Sequence, residues 1–290
     1  QAYIPEGSKV LTNEIGTAPG IYIEWNGKII ILLPGPPKEM KLMFDKYVIP
    51  LIKQNYIIKV RTLNTIGVGE SKLEMLIKDI IEAQENPTIA TYAKEGEVAI
   101  KIVGKGNDEK IVDNMLDEMV EKIDSKISKY IYSYDDEYIE EVVYKKLKAK
   151  NMKIAFCESC TGGLIASKFT SISGVSEVFD RGIVTYSNKS KIEELDVKKD
   201  TLEKYGPVSE QVALEMATGL LEKTGVDIAL STTGLAGPSG GTKEKPIGLV
   251  YIGIATKNSS FVVKSIFNGS RSSIQNRAML KAFNELRTII

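Results

Sequence analysis

The stretch KIAFCESCTGGLIASKF (Lys153–Phe169) decides the fold class. Its first four residues form an apolar run, which is typical of a short buried strand. The glycine pair Gly162-Gly163 permits a tight turn, and the following residues have helical apolar spacing. We therefore predict a strand at Lys153–Phe156 and a helix at about 163–171. A strand that turns directly into a helix indicates an α/β fold.

The same alternation continues to the carboxyl terminus. Further strands are predicted at 182–186, 228–232, 248–257 and 260–268, with helices at 188–195 and 209–223 and from Ser272 onward. The polar segment SYDDEY (Ser133–Tyr138) precedes this pattern and marks a boundary. The second half of the chain is therefore predicted to be one α/β domain.

Residues 60–130 predict a small module with the order strand, helix, hairpin, helix. Ser71 is expected to cap the first helix, and Lys94–Glu97 to form the hairpin turn. Small α/β modules can bind RNA, but residues 60–129 contain 10 Lys/Arg against 14 Asp/Glu. A phosphate-binding face needs a basic stripe, so a spacer or dimer-forming module fits better.

The first 52 residues contain one strong strand pattern, GKIIILLPG (Gly27–Gly35). A Pro/Gly turn follows it, and a helical pattern extends from Lys38 to about Ile52. This order resembles half of a parallel α/β unit, and it is too short to close a core alone.

Composition limits the classes of function. The 290 residues suggest two or three domains, and the formal net charge is zero. We expect neither a nucleic-acid partner nor a membrane partner, because there is no global basic excess and no apolar run of about 20 residues. The amino terminus has no signal-peptide pattern and begins in mid-pattern, so we expect a fragment or processed chain. Two cysteines indicate a reducing cytoplasm.

The chain contains no histidine. Serine–histidine and cysteine–histidine catalysis and histidine-based zinc sites are therefore excluded. With two cysteines, a structural zinc site is also disfavoured, and we predict no metal. Any catalytic base must be Lys, Asp, Glu, Tyr or a water that they hold.

The turn CESCTGG (Cys157–Gly163) allows three interpretations. The cysteines can be small buried residues or a redox pair, although thioredoxin-like motifs lie in a different element context. The glycine pair can serve tight-turn geometry alone. Alternatively, Ser159 lies at a strand-to-helix turn beside unpaired amides, where a serine nucleophile and an oxyanion hole can form.

The segment GIVTYSNKSK contains candidate bases for Ser159, namely Tyr186 and Lys191. A lysine with a lowered pKa can take the proton of the serine, in a Ser–Lys(–Tyr) arrangement. The alternative is that Lys189 and Lys191 are solvated charges and that Tyr186 is a partly buried aromatic.

Two further segments favour ligand binding. STTGLAGPSGG (Ser231–Gly241) places four glycines after a strand, where a ligand can approach the backbone closely. Arg271 precedes the last helix, where a guanidinium suits an anion, although it can also be an ordinary surface arginine.

Together, these motifs resemble the carboxyl-terminal domain of the CinA (competence/damage-inducible) family. They are AFCESCTGGLIASKFTSISGVS, FDRGIVTYSNKSK, TTGLAGPSGG with KPIGLVYIGIAT, and FNGSR, in family order over about residues 136–290. Residues 60–130 resemble the family's K-homology-like module. EIGTAPG and LLPGPPKEM resemble the end of its molybdopterin-binding-like domain, most of which is missing here.

The resemblance implies three domains: residues 1–58, 59–132 and 133–290. The last is implied to be a three-layer α/β nicotinamide-nucleotide amidase, which deamidates nicotinamide mononucleotide to nicotinate mononucleotide and ammonia. No cofactor is implied for it, and we expect a nucleotide substrate, a homo-oligomer (a dimer) and a cytoplasmic location. The alternatives are ADP-ribose hydrolysis through the amino-terminal piece and a non-catalytic nucleotide-binding scaffold.

The resemblance also implies roles for individual residues. Ser159 is the nucleophile, and Lys191 and Tyr186 activate it. Thr233 and Arg271 match other positions of the family's active site. The expected substrate-binding residues are Glu158, Thr161, Gly162, Gly163, Gly234, Ala236 and Gly237.

Overall fold

The computed structural model describes residues 3–52 and 56–290. They form two compact units. One comprises the described residues up to 57 together with 106–109, and the other comprises residues 58–105 and 110–290.

The first unit contains an antiparallel sheet of three strands in the order β1-β2-β3. The elements are β1 (Lys9–Leu11), β2 (Gly20–Trp25), β3 (Lys28–Leu32), α1 (Pro37–Met43), a π-helical turn (Phe44–Val48) and α2 (Ile49–Leu51). The predicted parallel half-unit is therefore wrong for these residues, although the predicted strand and helix are present. The reason is the two-residue turn Asn26-Gly27, in which both residues have positive φ (51° and 71°). Asn-Gly is the sequence preferred by tight hairpin turns, and such a turn makes neighbouring strands antiparallel.

The second unit begins with a four-stranded sheet in the order β5-β6-β4-β7. Its elements are β4 (Ile57–Ile66), α3 (Glu70–Leu76), α4 (Lys78–Glu82), β5 (Thr88–Lys94), β6 (Glu97–Gly106), α5 (Glu109–Ile127), a 3₁₀ turn (Ser128–Tyr130) and β7 (Ile131–Ser133). This confirms the predicted order, including the hairpin in which Lys94 pairs with Glu97. The predicted cap is wrong: α3 starts two residues earlier than predicted, after Gly69, and Ser71 lies in its first turn.

A five-stranded mixed sheet follows, in the order β12-β11-β10-β8-β9. Its elements are α6 (Ile139–Ala149), β8 (Ile154–Glu158), α7 (Leu164–Thr170), a 3₁₀ turn (Val175–Glu177), β9 (Phe179–Val184), α8 (Asn188–Leu195), α9 (Lys199–Tyr205), α10 (Glu210–Thr224), β10 (Ile228–Gly234), β11 (Leu249–Thr256), β12 (Ser260–Ile266) and α11 (Arg271–Ile289). The predicted elements are present, but β9 begins three residues and ends two residues before the strand predicted at 182–186. Helix α9 is an additional helix that the sequence pattern did not reveal.

Helices cover both faces of this sheet. On β8, Ile154 and Phe156 pack with residues of α6, α7 and α11, whereas Ala155 and Cys157 pack with residues of α8, α9 and α10. Successive strand side chains point to opposite faces, so a strand that is apolar at every position is buried on both. The α/β fold class, with three layers in this domain, is therefore confirmed. No helix within residues 3–52 and 56–290 has both the length and the apolar character needed to cross a membrane.

Candidate active site

The carboxyl ends of three neighbouring strands meet at one edge of the five-stranded sheet. Ser159 follows β8, Thr185 follows β9, and Thr233 lies at the end of β10. β8 pairs in parallel with both of its neighbours, and the amide of Ser159 donates a 2.9 Å hydrogen bond to the carbonyl of Thr232. Crevices that bind ligands in α/β folds form at this edge.

A cavity of about 260 Å³ opens there. Its lining includes all five residues predicted to be catalytic and three of those predicted to bind substrate: Ser159, Lys191, Tyr186, Thr233, Arg271, Gly234, Ala236 and Gly237. A larger cavity, of about 380 Å³, lies between the β5–β6 hairpin and α11, and its described lining contains none of the predicted site residues. Proximity to the chemistry-bearing side chains therefore favours the smaller cavity as the site.

Lys191 reaches Ser159 from the neighbouring loop and helix. Its Nζ donates hydrogen bonds to Ser159 Oγ (3.1 Å) and to the carbonyls of Thr185 (2.7 Å) and Tyr186 (3.3 Å). The residue is only 1% exposed. The alternative of a solvated charge is therefore wrong for Lys191.

Helix α8 explains why this lysine, and not Lys189, is buried. Ser187 caps the helix by accepting a hydrogen bond from the amide of Ser190 (3.0 Å). Residues two apart on a helix point about 200° apart. Lys189 accordingly faces solvent and forms an ion pair with Glu193 on the same helix face, while Lys191 points inward.

Burial holds the pKa of Lys191 below its usual range, against the weaker raising effect of the nearby Cys160 and Cys157 thiols. No ion pair between this amine and a carboxylate occurs in the described part of the chain. A neutral lysine has two N–H groups and one lone pair. Because carbonyls can only accept, the neutral form would direct its N–H groups at Thr185 and Tyr186 and its lone pair at Ser159. The arrangement suits proton abstraction from the serine.

Glu158 lies beside the nucleophile but faces the other way. Its carboxylate is buried and accepts hydrogen bonds from the amides of Gly163 (3.0 Å), Ile165 (3.1 Å) and Ala166 (2.8 Å). These are donors that the start of α7 would otherwise leave unpaired. Both of its oxygens thus hold the helix start, and Glu158 is not among the residues that line the described cavity, so its role in substrate binding stays a prediction.

The turn amides are also arranged differently from the prediction. Gly162 and Gly163 both have positive φ (64° and 95°), which accounts for the glycine pair. Gly162 N donates to the carbonyl of Ser159 (3.2 Å), and Gly163 N donates to Glu158. Among the described residues of this turn, the amide of Thr161 has no protein partner, and the amide of Cys160 has only its own thiol. Of these turn residues, Cys160 lines the cavity, whereas Thr161, Gly162 and Gly163 do not, and the oxyanion donors predicted at 161–163 stay a prediction.

Both thiols lie in the core. Cys157 Sγ donates to the carbonyl of Met216 (3.4 Å), and burial raises its pKa strongly. Burial likewise raises the pKa of the Cys160 thiol to about 12. Thiolates are the reactive form of cysteine, so these side chains are inert at neutral pH. The buried-residue interpretation of the two cysteines therefore holds over the redox one.

Arg271 joins two walls of the cavity. Its Nη1 donates to the carbonyl of Gly237 (2.8 Å), and its Nη2 donates to the hydroxyl of Tyr186 (2.9 Å). The phenol of Tyr186 is 62% exposed, and its hydroxyl bonds to Arg271 and not to Ser159. Tyr186 therefore contacts Lys191 through its main-chain carbonyl alone.

Two threonine hydroxyls near the site form hydrogen bonds within the protein. Thr233 Oγ1 donates to the carbonyl of Pro207 (2.7 Å), and Thr161 Oγ1 lies 2.7 Å from Thr232 Oγ1. Both hydroxyls are thus engaged within the protein. Among the described residues, no group of three or more His, Cys, Asp or Glu side chains could hold a metal ion.

Sequence reasoning missed several residues of the site. Thr185 acts through its carbonyl, which any residue would supply, so no side-chain signal could reveal it. Pro207 lines the cavity in the segment that follows the unpredicted helix α9. Gln275 Nε2 donates to the carbonyl of Cys160 (2.8 Å). A signal existed for Gln275, since it lies four residues after Arg271 and so on the same helix face.

Comparisons with known proteins agree with this architecture. The family described as CinA C-terminal domain matches residues 136–290, and the damage-inducible protein CinA KH domain matches residues 60–133. A CinA-like protein of Kosmotoga olearia is 48% identical over 289 residues, covering 99% of this chain and 70% of the relative. A putative competence-damage inducible protein of Clostridium botulinum strain Langeland is 47% identical, with 99% and 71% covered.

Two solved structures are similar over the carboxyl-terminal half. The competence/damage inducible protein CihA from Agrobacterium tumefaciens has 36% identity and a TM-score of 0.51, covering 52% of this chain and 93% of its own. A competence-damaged protein (CinA) superfamily protein from Escherichia coli has 30% identity and a TM-score of 0.51, covering 52% and 88%. Because a family model matches residues 136–290 and a relative at 48% identity is matched over 99% of this chain and 70% of its own length, the chain belongs to the CinA family.

Proposed function

We propose that this protein hydrolyses the carboxamide of nicotinamide mononucleotide to nicotinate mononucleotide and ammonia. The observation that carries the proposal is the buried Lys191 amine, which lies 3.1 Å from Ser159 Oγ and has its other contacts to two carbonyls. A serine beside a lysine whose pKa burial lowers can be activated as a nucleophile, and a chain without histidine needs a base of this kind.

Lys191 first takes the proton of Ser159, and Ser159 Oγ attacks the carboxamide carbon. Backbone amides of the turn that follows Ser159 stabilise the negative charge that develops on the carbonyl oxygen. The Lys191 ammonium then donates its proton to the leaving nitrogen, ammonia departs, and an ester to Ser159 remains. Water hydrolyses this ester with the same lysine as base, which regenerates the serine.

The rest of the cavity supports a substrate with an anionic group. Arg271 presents a guanidinium at the mouth, where it already bridges Tyr186 and the loop that contains Gly237. A guanidinium binds phosphate by paired hydrogen bonds. In this proposal Arg271 orients the bound mononucleotide through its phosphate, and the buried Ser159–Lys191 pair carries out the reaction.

The test is ammonia release from nicotinamide mononucleotide by the purified chain, with nicotinate mononucleotide measured by chromatography. We expect stoichiometric formation of both products, and their loss in Ser159→Ala. Binding of the mononucleotide without turnover would contradict the proposal and indicate a nucleotide-binding scaffold instead.

A further inference from the structure

Four successive carbonyls in the connection between α9 and α10 each accept a hydrogen bond from a side chain. The donors are Lys245 Nζ to Tyr205 (2.6 Å) and Val208 (2.7 Å), Ser209 Oγ to Gly206 (2.9 Å), and Thr233 Oγ1 to Pro207 (2.7 Å). We call residues 205–208 the connecting segment. Two of its residues, Pro207 and Val208, line the cavity that Ser159 also lines. One wall of the candidate site is therefore held through its main chain by side chains outside the segment.

Lys245 supplies two of these four bonds from the loop between β10 and β11 (residues 235–248). Its side chain is partly buried, and its ammonium has no ion pair with a carboxylate among the described residues. Thr242 fixes its main chain: the Thr242 amide donates to the Lys245 carbonyl (2.8 Å), and the Thr242 hydroxyl accepts from the Lys245 amide (3.0 Å). A Cβ on Gly206 would lie 3.3 Å from Lys245 Nζ, so a residue without a side chain leaves room for the ammonium. Lys245 thus joins the β10–β11 loop to the connecting segment.

The β10–β11 loop lines the same cavity through residues that include Leu235, Ala236 and Gly237. Lys245 is not among the described lining residues, so it reaches the cavity only through the main chain that it holds. From these contacts we infer that Lys245 is a positioning residue for substrate binding, an inference that rests on the proposed amidase function. It fixes the connecting segment relative to the loop and so prearranges the part of the cavity that both of them line. A site that is already in place loses less conformational entropy when a ligand binds.

The residues that Lys245 positions indicate which part of the substrate they contact. Pro207, Val208 and Ala236 have apolar, uncharged side chains, which suit a flat pyridine ring better than a phosphate. The phosphate is assigned to the guanidinium of Arg271 in the proposed function. We therefore expect Lys245 to affect every substrate that contains the nicotinamide ring, with or without the phosphate.

The experiment measures kcat and KM of Lys245→Met and Lys243→Met with nicotinamide mononucleotide and with nicotinamide riboside. Lys243 is exposed in the same loop, so it controls for the loss of a positive charge. For Lys245→Met we expect about a tenfold rise in KM, with kcat within about threefold, because a looser wall weakens binding of the ground state and the transition state alike. The rise should be similar on both substrates, whereas Lys243→Met should leave both constants within about twofold.

Lys245→Arg tests whether the two hydrogen bonds cause the effect. A guanidinium carries enough donors for both carbonyls, and we expect this variant to keep KM within about threefold of wild type. A rise as large as that of Lys245→Met would overturn the inference, because bonds to the connecting segment would then not be the cause. If Lys245→Met folds poorly, Lys245→Gln, whose amide ends one atom short of the lysine nitrogen, should raise KM in the same direction.

A KM for Lys245→Met within about twofold of the Lys243→Met value would overturn the inference and leave the amidase proposal standing. A fall in kcat with unchanged KM would do the same. If the wild-type chain releases no ammonia, the amidase proposal fails, and the dissociation constant of nicotinamide mononucleotide, measured by calorimetry for both variants, decides the inference separately. About tenfold weaker binding to Lys245→Met than to Lys243→Met would support it. Equal binding, or no binding to wild type or either variant, would overturn it.

Discussion

One buried ionisable side chain lies at the end of β8, and another lies on the helix that follows β9. The protein surrounds these two side chains in opposite ways. Glu158 ends β8, and three amides of the α7 start donate to its two oxygens. Lys191 follows the end of β9 and contacts a hydroxyl and two carbonyls, with no carboxylate partner in the described residues. Both residues are 1% exposed.

The difference indicates that the Glu158 carboxylate stabilises the fold, whereas the Lys191 amine is suited to act as a base. Hydrogen bonds from amides stabilise a carboxylate and make it part of the fold. Burial without an opposite charge destabilises the ammonium form of lysine, so its amine is available as a base. At one edge of the sheet, the surroundings of Glu158 thus favour a role in stability, and those of Lys191 favour the proposed role in the reaction. Each of the following experiments tests that assignment.

The largest effect is expected from Ser159→Ala, because it removes the nucleophile and leaves both Glu158 and Lys191 in place. We expect kcat for ammonia release to fall by roughly a thousandfold or more, with substrate affinity retained. The matched control is Cys160→Ser in the same turn, whose thiol is protonated at neutral pH, and it should stay within about threefold of wild type. More than about a hundredth of the wild-type rate in Ser159→Ala would argue for direct attack by water.

Lys191→Arg should lose nearly as much activity as Ser159→Ala. A guanidinium keeps its proton near neutral pH, so the positive charge remains and the base is lost. We expect at least about a hundredfold fall in kcat, while Lys189→Arg on the exposed face of α8 leaves kcat unchanged. Substantial activity in Lys191→Arg would mean that the lysine contributes only charge.

The third effect concerns Arg271, whose charge is at the open mouth of the cavity and not in the core. Loss of a charge-assisted hydrogen bond to an anion costs about 1.5–3 kcal/mol, or roughly tenfold to a hundredfold in kcat/KM. Arg271→Ala should show this loss with nicotinamide mononucleotide and a much smaller one with phosphate-free nicotinamide riboside. Equal losses on both substrates would instead place Arg271 in the chemical step.

The sequence predicted the elements of the sheet and the residues at its edge because both depend on local patterns. Apolar runs define the strands, and the absence of histidine directs attention to Lys191 as a base. The chain could not reveal which polar groups face the cavity. Glu158 and Ser159 are neighbours, yet their side chains point to different places, since one caps a helix. That outcome depends on the packing of α7 and not on residue type.

Long-range hydrogen bonds set the second limit. The bond from Gln275 to Cys160 joins residues 115 positions apart, and the bond from Arg271 to Tyr186 joins residues 85 apart. A single sequence contains no local pattern for such pairs. By contrast, Asn26-Gly27 did signal an antiparallel hairpin locally, and a closer interpretation of that dipeptide would have predicted the first sheet correctly.

The fourth effect is on stability. Glu158→Gln keeps one acceptor oxygen and turns an NH₂ group toward the amides of the α7 start. Charged hydrogen bonds contribute about 1.5–3 kcal/mol each, and we expect a loss of about 2 kcal/mol in the free energy of unfolding. The control Glu193→Gln, in an exposed i,i+4 pair with Lys189, should cost less than about 0.5 kcal/mol. Equal urea midpoints for the two variants would show that Glu158 is not structural.

The smallest effect is the pH dependence of stability that Lys191 creates. Its pKa in the folded protein lies below the ordinary value of 10.5, because burial disfavours the charged form. Between these two values the unfolded chain binds more protons than the folded one, so stability rises with pH. The slope for one such group is at most about 1.4 kcal/mol per pH unit.

Lys191→Met removes this rise, whereas Lys189→Met, on the exposed face, retains it. The measurement is the difference in unfolding free energy between wild type and each variant from about pH 7 to about pH 10. Parallel curves for wild type and Lys191→Met would mean that the amine titrates normally, and the contrast with Glu158 would then be wrong.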